Sequence, residues 1–142
     1  MNAIDRRDFV AVCATSAGML LLGCASIVTH PVPVTGNLVR LSLAAYPELA
    51  KPEGAIKILP AGREEPIYVL ATSSAGFSAL SPICTHRGCT VDVNGPRLVC
   101  PCHGSTYDRE GKVLKGPAEQ ALSRYRATRA GDELVIDLSA SS

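Results

Sequence analysis

The sequence predicts an all-β domain, and three observations support that prediction. The body of the chain has no long apolar stripe of 3.6-residue period, which is the pattern of a helical bundle. The chain holds ten Pro, two Phe and no Trp among its 142 residues. Its apolar runs are short, and turn-forming groups such as 52–54 (Pro-Glu-Gly) and 60–62 (Pro-Ala-Gly) separate them. Short apolar runs between turns are typical of strands.

The strand candidates follow one another closely along the body of the chain. In order they are 38–43, 55–59, 67–71, 77–80, 90–93, 97–99, 112–114, 122–128 and 133–138. The last two are joined by 129–132 (Arg-Ala-Gly-Asp), a sequence typical of a hairpin turn. A brief helical turn is expected near 44–49. Residues 37–139 are therefore predicted to form one compact domain.

The first 24 residues differ sharply in composition from this body and predict an export signal or a membrane anchor. Arg6 and Arg7 stand between two aspartates, and the stretch 9–28 that follows is uncharged. The run 5–10 resembles a twin-arginine signal, which directs folded, cofactor-loaded proteins across a membrane. An ordinary signal that happens to carry two arginines remains an alternative. Either signal predicts an exported protein on the periplasmic side of the membrane.

Cys24 leaves three interpretations open. The sequence 21–24 (Leu-Leu-Gly-Cys) resembles a lipobox, in which the cysteine is lipidated and becomes the mature N-terminus. The uncharged stretch is also long enough to span a bilayer uncleaved, for which roughly 20 apolar residues suffice. Cleavage after Cys24 would instead release the protein from the membrane. Residues 25–36, which include Pro31 and Pro33, are predicted to be an extended linker.

The charge of the chain gives little indication of a binding partner. The formal net charge is +1, so nothing predicts binding to nucleic acid. Two short segments, 84–89 and 100–105, are rich in cysteine. Five cations lie near them and predict an attractive face for an acidic protein: Arg87, Arg97, Arg109, Lys112 and Lys115. Acidic residues are interleaved with them, so a mixed, solvated surface is the simpler interpretation.

Four of the six cysteines and two of the three histidines lie in two short segments. These are 84–89 (Cys-Thr-His-Arg-Gly-Cys) and 100–105 (Cys-Pro-Cys-His-Gly-Ser). Thiol and imidazole ligands concentrated in this way predict a metal site. Each segment follows a strand candidate and contains Gly, so each can form a tight loop that presents side chains inward and turns backbone amides toward a bound anion or sulfide.

The two segments resemble the two sequence boxes of the Rieske family, and the resemblance extends through Tyr107. It implies an antiparallel β domain with a small cluster-binding subdomain and one 2Fe-2S cluster. It implies four ligands to that cluster: Cys84, His86, Cys100 and His103. It also implies a disulfide between Cys89 and Cys102, which requires an oxidising compartment. The Rieske ferredoxins and the terminal oxygenases of aromatic-ring hydroxylation systems have the same ligands but lack these two cysteines.

Three further features follow from the same resemblance. Ser105 and Tyr107 occupy positions where hydroxyl groups donate hydrogen bonds to cluster or ligand sulfur and raise the reduction potential. Alternatively, the two residues simply begin a strand. Gly116 and Pro117 resemble the start of a loop that shields the cluster from water, although Glu119 stands where a second proline is usual.

A zinc module is the main alternative for the metal site, because Cys and His in paired loops also bind zinc. Zinc modules favour paired C-x-x-C segments, whereas this chain has C-x-H followed by C-x-C-H. Zinc also gives no reason for Ser105 and Tyr107. The sequence therefore favours the cluster over a zinc-stabilised binding module.

The expected function is one-electron transfer by a membrane-tethered protein of a respiratory-type chain, with a cytochrome or an oxidoreductase catalytic subunit as partner. Two subunit roles remain open: the iron-sulfur subunit of a quinol-oxidising cytochrome bc-type complex, and the small subunit of an arsenite-oxidase-type enzyme. Arg87 stands where cytochrome bc subunits carry an apolar residue facing quinone, thirteen residues separate His86 from Cys100, and no long hinge insert is evident. These departures make direct contact with quinol an alternative rather than the first expectation.

Overall fold

The computed structural model describes residues 26–142, and these residues form an almost purely β structure. Eleven strands follow in chain order: β1 Thr29–Val32, β2 Leu38–Ser42, β3 Ala55–Pro60, β4 Ile67–Ala71, β5 Phe77–Leu80, β6 Asp92–Asn94, β7 Arg97–Val99, β8 Thr106–Asp108, β9 Val113–Lys115, β10 Arg124–Ala130 and β11 Glu133–Ser141. Two short 3-10 turns, Leu43–Ala45 and Pro47–Ala50, lie between β2 and β3. The predicted all-β fold is thus confirmed.

Seven strands form the larger sheet, in the order β1-β3-β4-β5-β10-β11-β2. All of its pairs are antiparallel except β1 with β3, which is parallel with Thr29 opposite Lys57. The predicted hairpin between the last two strands is present, with Ala130 opposite Glu133. The larger sheet therefore combines strands from the first part of the described chain, β1 to β5, with its last two strands, β10 and β11.

The remaining four strands form a separate antiparallel sheet, β6-β7-β8-β9, built from 92–115. Each of its strands is three residues long. This smaller sheet is inserted between β5 and β10 of the larger one. The two cysteine-rich segments lie on it, the first just before β6 and the second between β7 and β8.

Strand β4 belongs to two apolar cores at once. Its alternating side chains point to opposite faces of the sheet, as they must in any strand. Ile67 and Val69 pack into the core of the larger sheet. Tyr68 and Leu70 pack into a second core that the smaller sheet and its loops complete. The continuous apolar run of β4 is explained by this burial on both faces.

The structure differs from the sequence prediction mainly where strands are very short or contain proline. Thr29–Val32 was predicted to be linker, yet it pairs with β3 as a strand at the end of the larger sheet. Pro31 is tolerated there because an edge strand leaves one row of amides unpaired. Strand β8 was not among the strand candidates, because three residues are too few to display a periodicity, but it agrees with the alternative that a strand begins at Ser105 and Tyr107. The candidate 90–93 is displaced to Asp92–Asn94, and Thr90 makes only an isolated bridge with Ile83.

The predictions for 1–24, including the twin-arginine-like run and Cys24, lie outside the described residues. Within 26–142, no helix is long and apolar enough to cross a membrane.

Candidate metal centre

The two cysteine-rich segments form a pair of loops that a disulfide joins. We call 84–89 the first loop and 100–105 the second loop. The disulfide connects Cys89 of the first loop to Cys102 of the second, with their Cα atoms 6.5 Å apart. The pairing is the one that the family resemblance implied. It holds the two loops side by side at the same end of the smaller sheet.

Both loops use the same backbone turn. The amide of Gly88 donates to the carbonyl of Cys84 at 2.9 Å, and the amide of Gly104 donates to the carbonyl of Cys100 at 3.0 Å. Both glycines have a φ of +79°, a left-handed conformation that side chains with a Cβ disfavour. In each loop the turn begins at a cysteine, and a histidine follows two residues later in the first loop and three residues later in the second.

The four predicted ligands lie together as two like pairs. The thiols of Cys84 and Cys100 are not in disulfides, are only 2% exposed each, and lie close enough to hydrogen-bond each other. The imidazole rings of His86 and His103 pack edge to face with their centroids 4.9 Å apart. A pair of neighbouring thiols and a pair of neighbouring imidazoles is the donor set that would hold a 2Fe-2S cluster with two Cys and two His ligands.

One buried atom tests whether the two loops fit a metal ligand set. Nδ1 of His86 is buried and has no hydrogen-bond partner among the described residues. A buried polar atom without a partner costs free energy, and such atoms are rare unless they serve a function. Coordination of iron through Nδ1 would remove this cost. The donor set and this atom together fit the 2Fe-2S cluster.

Cys100 also lies near the disulfide, and its sulfur is within 4.8 Å of the sulfurs of Cys89 and Cys102. These three sulfurs do not form a separate metal site, because two of them are bonded to each other. Their closeness instead means that the disulfide packs directly against one of the two buried thiols.

The surroundings of Cys84 favour its thiolate. Burial by itself raises the pKa of this thiol, but four hydrogen bonds outweigh it: from the Tyr107 hydroxyl, the His86 and Arg87 amides and the Cys100 thiol. The net result is a pKa below the ordinary value. Because the thiolate is the form that binds metal, this direction favours ligation by Cys84.

Tyr107 lies at the centre of a small polar network beneath the first loop. Its side chain is fully buried, and its hydroxyl oxygen lies 3.3 Å from the Cys84 sulfur. The Thr85 amide donates to the same oxygen at 3.3 Å, and the Thr85 hydroxyl lies 3.1 Å from it. Burial, and then the contact with Cys84, raise the pKa of Tyr107, so the hydroxyl keeps its proton. Sequence reasoning did not assign a role to Thr85.

Ser105 is tied to the segment that begins with Gly116 and Pro117. The Ser105 hydroxyl is fully buried and accepts a hydrogen bond from the Ala118 amide at 3.0 Å. Pro117 itself is exposed, whereas Ala118 is buried against the second core. Gln120 of the same segment accepts a hydrogen bond from the Thr85 hydroxyl at 2.6 Å. The segment therefore contacts both loops. We call 116–120 the covering segment, after the shielding role that the family resemblance implies.

Arg109 corrects the prediction of a cationic docking face. Its side chain is only 6% exposed, and it donates to three backbone carbonyls, those of Ala71, Gly95 and Gly54. Burial lowers its pKa, while the charges of Glu53 and Glu110 act in the opposite direction. Arg109 therefore joins the smaller sheet to the larger one and is not available to a partner. The sequence carries no signal for this, because Asp-Arg-Glu-Gly looks like an exposed turn. The other four cations of that prediction are exposed.

Comparison with known proteins agrees with this geometry. The model of the Rieske [2Fe-2S] domain family matches residues 49–126. The cytochrome b6-f complex iron-sulfur subunit of Synechococcus sp. (strain JA-3-3Ab) is 31% identical over an alignment of 147 positions, gaps included, and the alignment covers 92% of this chain and 86% of that protein. The subunit of the same name from Synechococcus elongatus is 40% identical over 76 residues, but the match spans 51% of this chain and 42% of that relative.

Solved structures give the same result. The plasma membrane Rieske protein PetC3 of Synechocystis PCC 6803 is 35% identical, with a TM-score of 0.51 over 62% of this chain and 88% of that chain. A chain of the complex of reduced oxygenase and oxidized ferredoxin in carbazole 1,9a-dioxygenase has a TM-score of 0.56 at 17% identity, which indicates a shared fold alone. The chain belongs to the Rieske [2Fe-2S] family.

Proposed function

We propose that this chain is an exported, membrane-tethered one-electron carrier. Its 2Fe-2S cluster would be held by four side chains: Cys84, His86, Cys100 and His103. The observation that carries the proposal is their arrangement as a buried pair of thiols beside a pair of imidazoles, with Nδ1 of His86 buried and unpartnered among the described residues.

When bound, the cluster takes up and releases one electron. Two neutral imidazoles in place of two thiolates make reduction easier, and such centres span potentials of roughly −150 to +300 mV. The chain itself supplies the environment of the centre. The loop at Gly116 and Pro117 limits the access of water, and the disulfide between Cys89 and Cys102 holds the two loops at a fixed separation.

Two hydroxyl groups would raise the potential within that range. Tyr107 lies within hydrogen-bond distance of the Cys84 sulfur. Ser105 accepts its hydrogen bond from Ala118, and no acceptor for its own hydrogen occurs in the part of the chain that the structure describes. We assign that hydrogen to a cluster sulfur. Donors to sulfur stabilise the electron-rich reduced state, so both hydroxyls would make the protein a better electron acceptor.

The tether rests on the N-terminal sequence. The run 5–10 and the uncharged stretch after it support export, and 21–24 supports lipidation of Cys24 over an uncleaved anchor. The disulfide agrees with export, because such bonds persist in oxidising compartments. Mass spectrometry of the mature protein from membranes tests this. Lipidated Cys24 at the N-terminus is expected, and Cys24→Ser should lose the lipid while Cys13→Ser keeps it.

The proposed partner is another redox protein, either a cytochrome or the catalytic subunit of an oxidoreductase. Several relatives are named as subunits of the cytochrome b6-f complex, which supports a cytochrome partner and keeps direct oxidation of quinol as a second candidate. Arg87 is exposed next to His86, and the single ion pair among residues 26–142 joins Arg40 to Glu133. An unpaired cation beside the centre favours a partner with acidic groups over an apolar quinol pocket.

The ligand set can be tested with a matched pair of histidine substitutions. His103→Ala should abolish cluster assembly, because three ligands leave an iron open to water. His30→Ala is the control, since His30 lies on β1, outside both loops, where its ring packs against that of Tyr46. Iron and sulfide content and the electron paramagnetic resonance (EPR) signal after reduction are measured in both. A normal cluster in His103→Ala would refute the ligand assignment.

Quinol can be tested on the same wild-type protein. A shift of the EPR signal of the reduced protein on adding a quinol analogue would favour a subunit that oxidises quinol. No shift at saturating analogue is expected for a carrier that exchanges electrons with a protein alone.

A further inference from the structure

The hydrogen bonds around the Tyr107 hydroxyl can be assigned by counting protons. This oxygen has three neighbours within hydrogen-bond distance: the Thr85 amide at 3.3 Å, the Thr85 hydroxyl at 3.1 Å and the Cys84 sulfur at 3.3 Å. The amide can only donate, so it uses a lone pair of the Tyr107 oxygen. The single hydrogen of Tyr107 is left for one of the other two neighbours.

The Thr85 hydroxyl has already committed its own hydrogen. It lies 2.6 Å from the carbonyl oxygen of Gln120, and a carbonyl can only accept. Because 2.6 Å is much shorter than the 3.1 Å to Tyr107, the hydrogen of Thr85 points to Gln120. The Thr85 oxygen is then an acceptor toward Tyr107. It competes with the Cys84 sulfur for the same hydrogen.

We infer that the Thr85 hydroxyl, oriented by the Gln120 carbonyl, draws the Tyr107 hydrogen away from the Cys84 sulfur and so lowers the reduction potential. This inference rests on the proposed function, because it takes Cys84 as a cluster ligand. A donor shared between two acceptors gives each a weaker hydrogen bond than it would give alone. A weaker hydrogen bond to the ligand sulfur stabilises the electron-rich reduced state less. Thr85 is therefore a positioning residue that opposes the effect of Tyr107.

Thr85→Val tests the inference because it removes the hydroxyl and keeps the shape of the side chain. The potential of Thr85→Val should lie above that of wild type, whereas Thr85→Ser, which keeps the hydroxyl, should match wild type. The potential of Tyr107→Phe should lie below wild type. In the double variant Thr85→Val with Tyr107→Phe, the potential should equal that of Tyr107→Phe alone, since no hydrogen remains to be redirected.

Each result decides the question. An unchanged or lower potential in Thr85→Val would overturn the inference. An equal rise in both backgrounds would also overturn it, because Thr85 would then act through the covering segment rather than through Tyr107. If Thr85→Val fails to fold, Thr85→Ala in both backgrounds gives the same comparison. A cluster that survives Cys84→Ser would instead overturn the proposed ligand set, so the two failures are distinguishable.

Discussion

The two sheets of this protein are stabilised in different ways. The larger sheet has strands of four to nine residues, a continuous ladder of backbone hydrogen bonds and a core of aliphatic side chains. The smaller sheet has strands of three residues and shares its core with Tyr68 and Leu70 of β4. It depends in addition on a few single connections: the disulfide, the Arg109 side chain and the hydroxyl of Tyr68.

This difference follows from what each sheet has to do. The smaller sheet and its loops present thiols, imidazoles and hydroxyls to one centre, and they also contribute Leu98 and Tyr107 to the second core. A few connections with a high individual effect supplement that core. Substitutions at those connections should therefore act on the smaller sheet first.

The largest effect on stability is expected from Arg109→Met. The substitution keeps much of the side-chain volume but removes the Arg109 donor from the carbonyls of Ala71 and Gly95, and one of two donors from that of Gly54, which also accepts from the Ala71 amide. An unsatisfied buried acceptor costs about 1–3 kcal/mol, so a loss of about 3 kcal/mol or more is expected. Arg97→Met, on the exposed side of β7, is the control and should change stability by less than about 0.5 kcal/mol. Equal effects in chemical denaturation would mean that Arg109 does not join the sheets.

Removing the disulfide should have a slightly smaller effect, and it should be local. By the chain-entropy model, a crosslink between Cys89 and Cys102, which are 13 residues apart, contributes roughly 3 kcal/mol, and engineered changes often deliver less. The double variant Cys89→Ser with Cys102→Ser should still assemble a cluster but lose it faster. Hydrogen exchange should accelerate in β6 to β9 and stay unchanged in the larger sheet. Acceleration throughout both sheets would argue against separate stabilisation.

Tyr68→Phe should give the smallest effect and one that depends on pH. The Tyr68 hydroxyl donates to the Val91 carbonyl at 2.8 Å, so its loss should cost about 1 kcal/mol at neutral pH. Burial, and then the charge of Asp92, raise the pKa of Tyr68 above its ordinary value. A raised pKa in the folded state means that the contribution is complete below about pH 10 and is lost as the pH rises through the folded pKa. The stability difference between wild type and Tyr68→Phe should therefore shrink above about pH 10. A difference that stays constant into strong alkali would contradict this.

The sequence predicted the larger sheet well because its strands are long enough to have a pattern. The interval 67–71 matches β4, and the last hairpin forms at its predicted turn. Strand β1 was missed because Pro31 is read as a linker residue unless the strand is known to be an edge. The smaller sheet was predicted less accurately, since strands of three residues carry almost no periodicity.

Residue type and spacing predicted a metal site, and the family resemblance implied its four ligands and the disulfide, but the supporting contacts were not predicted. Cysteine and histidine at close spacing indicate a metal site without any knowledge of the fold. The role of Arg109 depends on three carbonyls that are far apart in sequence, and that of Thr85 depends on the carbonyl of Gln120. Backbone acceptors have no signature in the sequence. Such contacts become visible only when the chain is folded.

The central claim is that two histidines and two cysteines of this chain hold one 2Fe-2S cluster. Pulsed EPR of the reduced protein, compared between natural-abundance and ¹⁵N-histidine-labelled samples, tests it most directly. The chain has three histidines, and two of them, His86 and His103, should show strong nitrogen couplings that change with the label. Couplings from only one histidine, or none in a sample that contains the cluster, would contradict the proposed ligands.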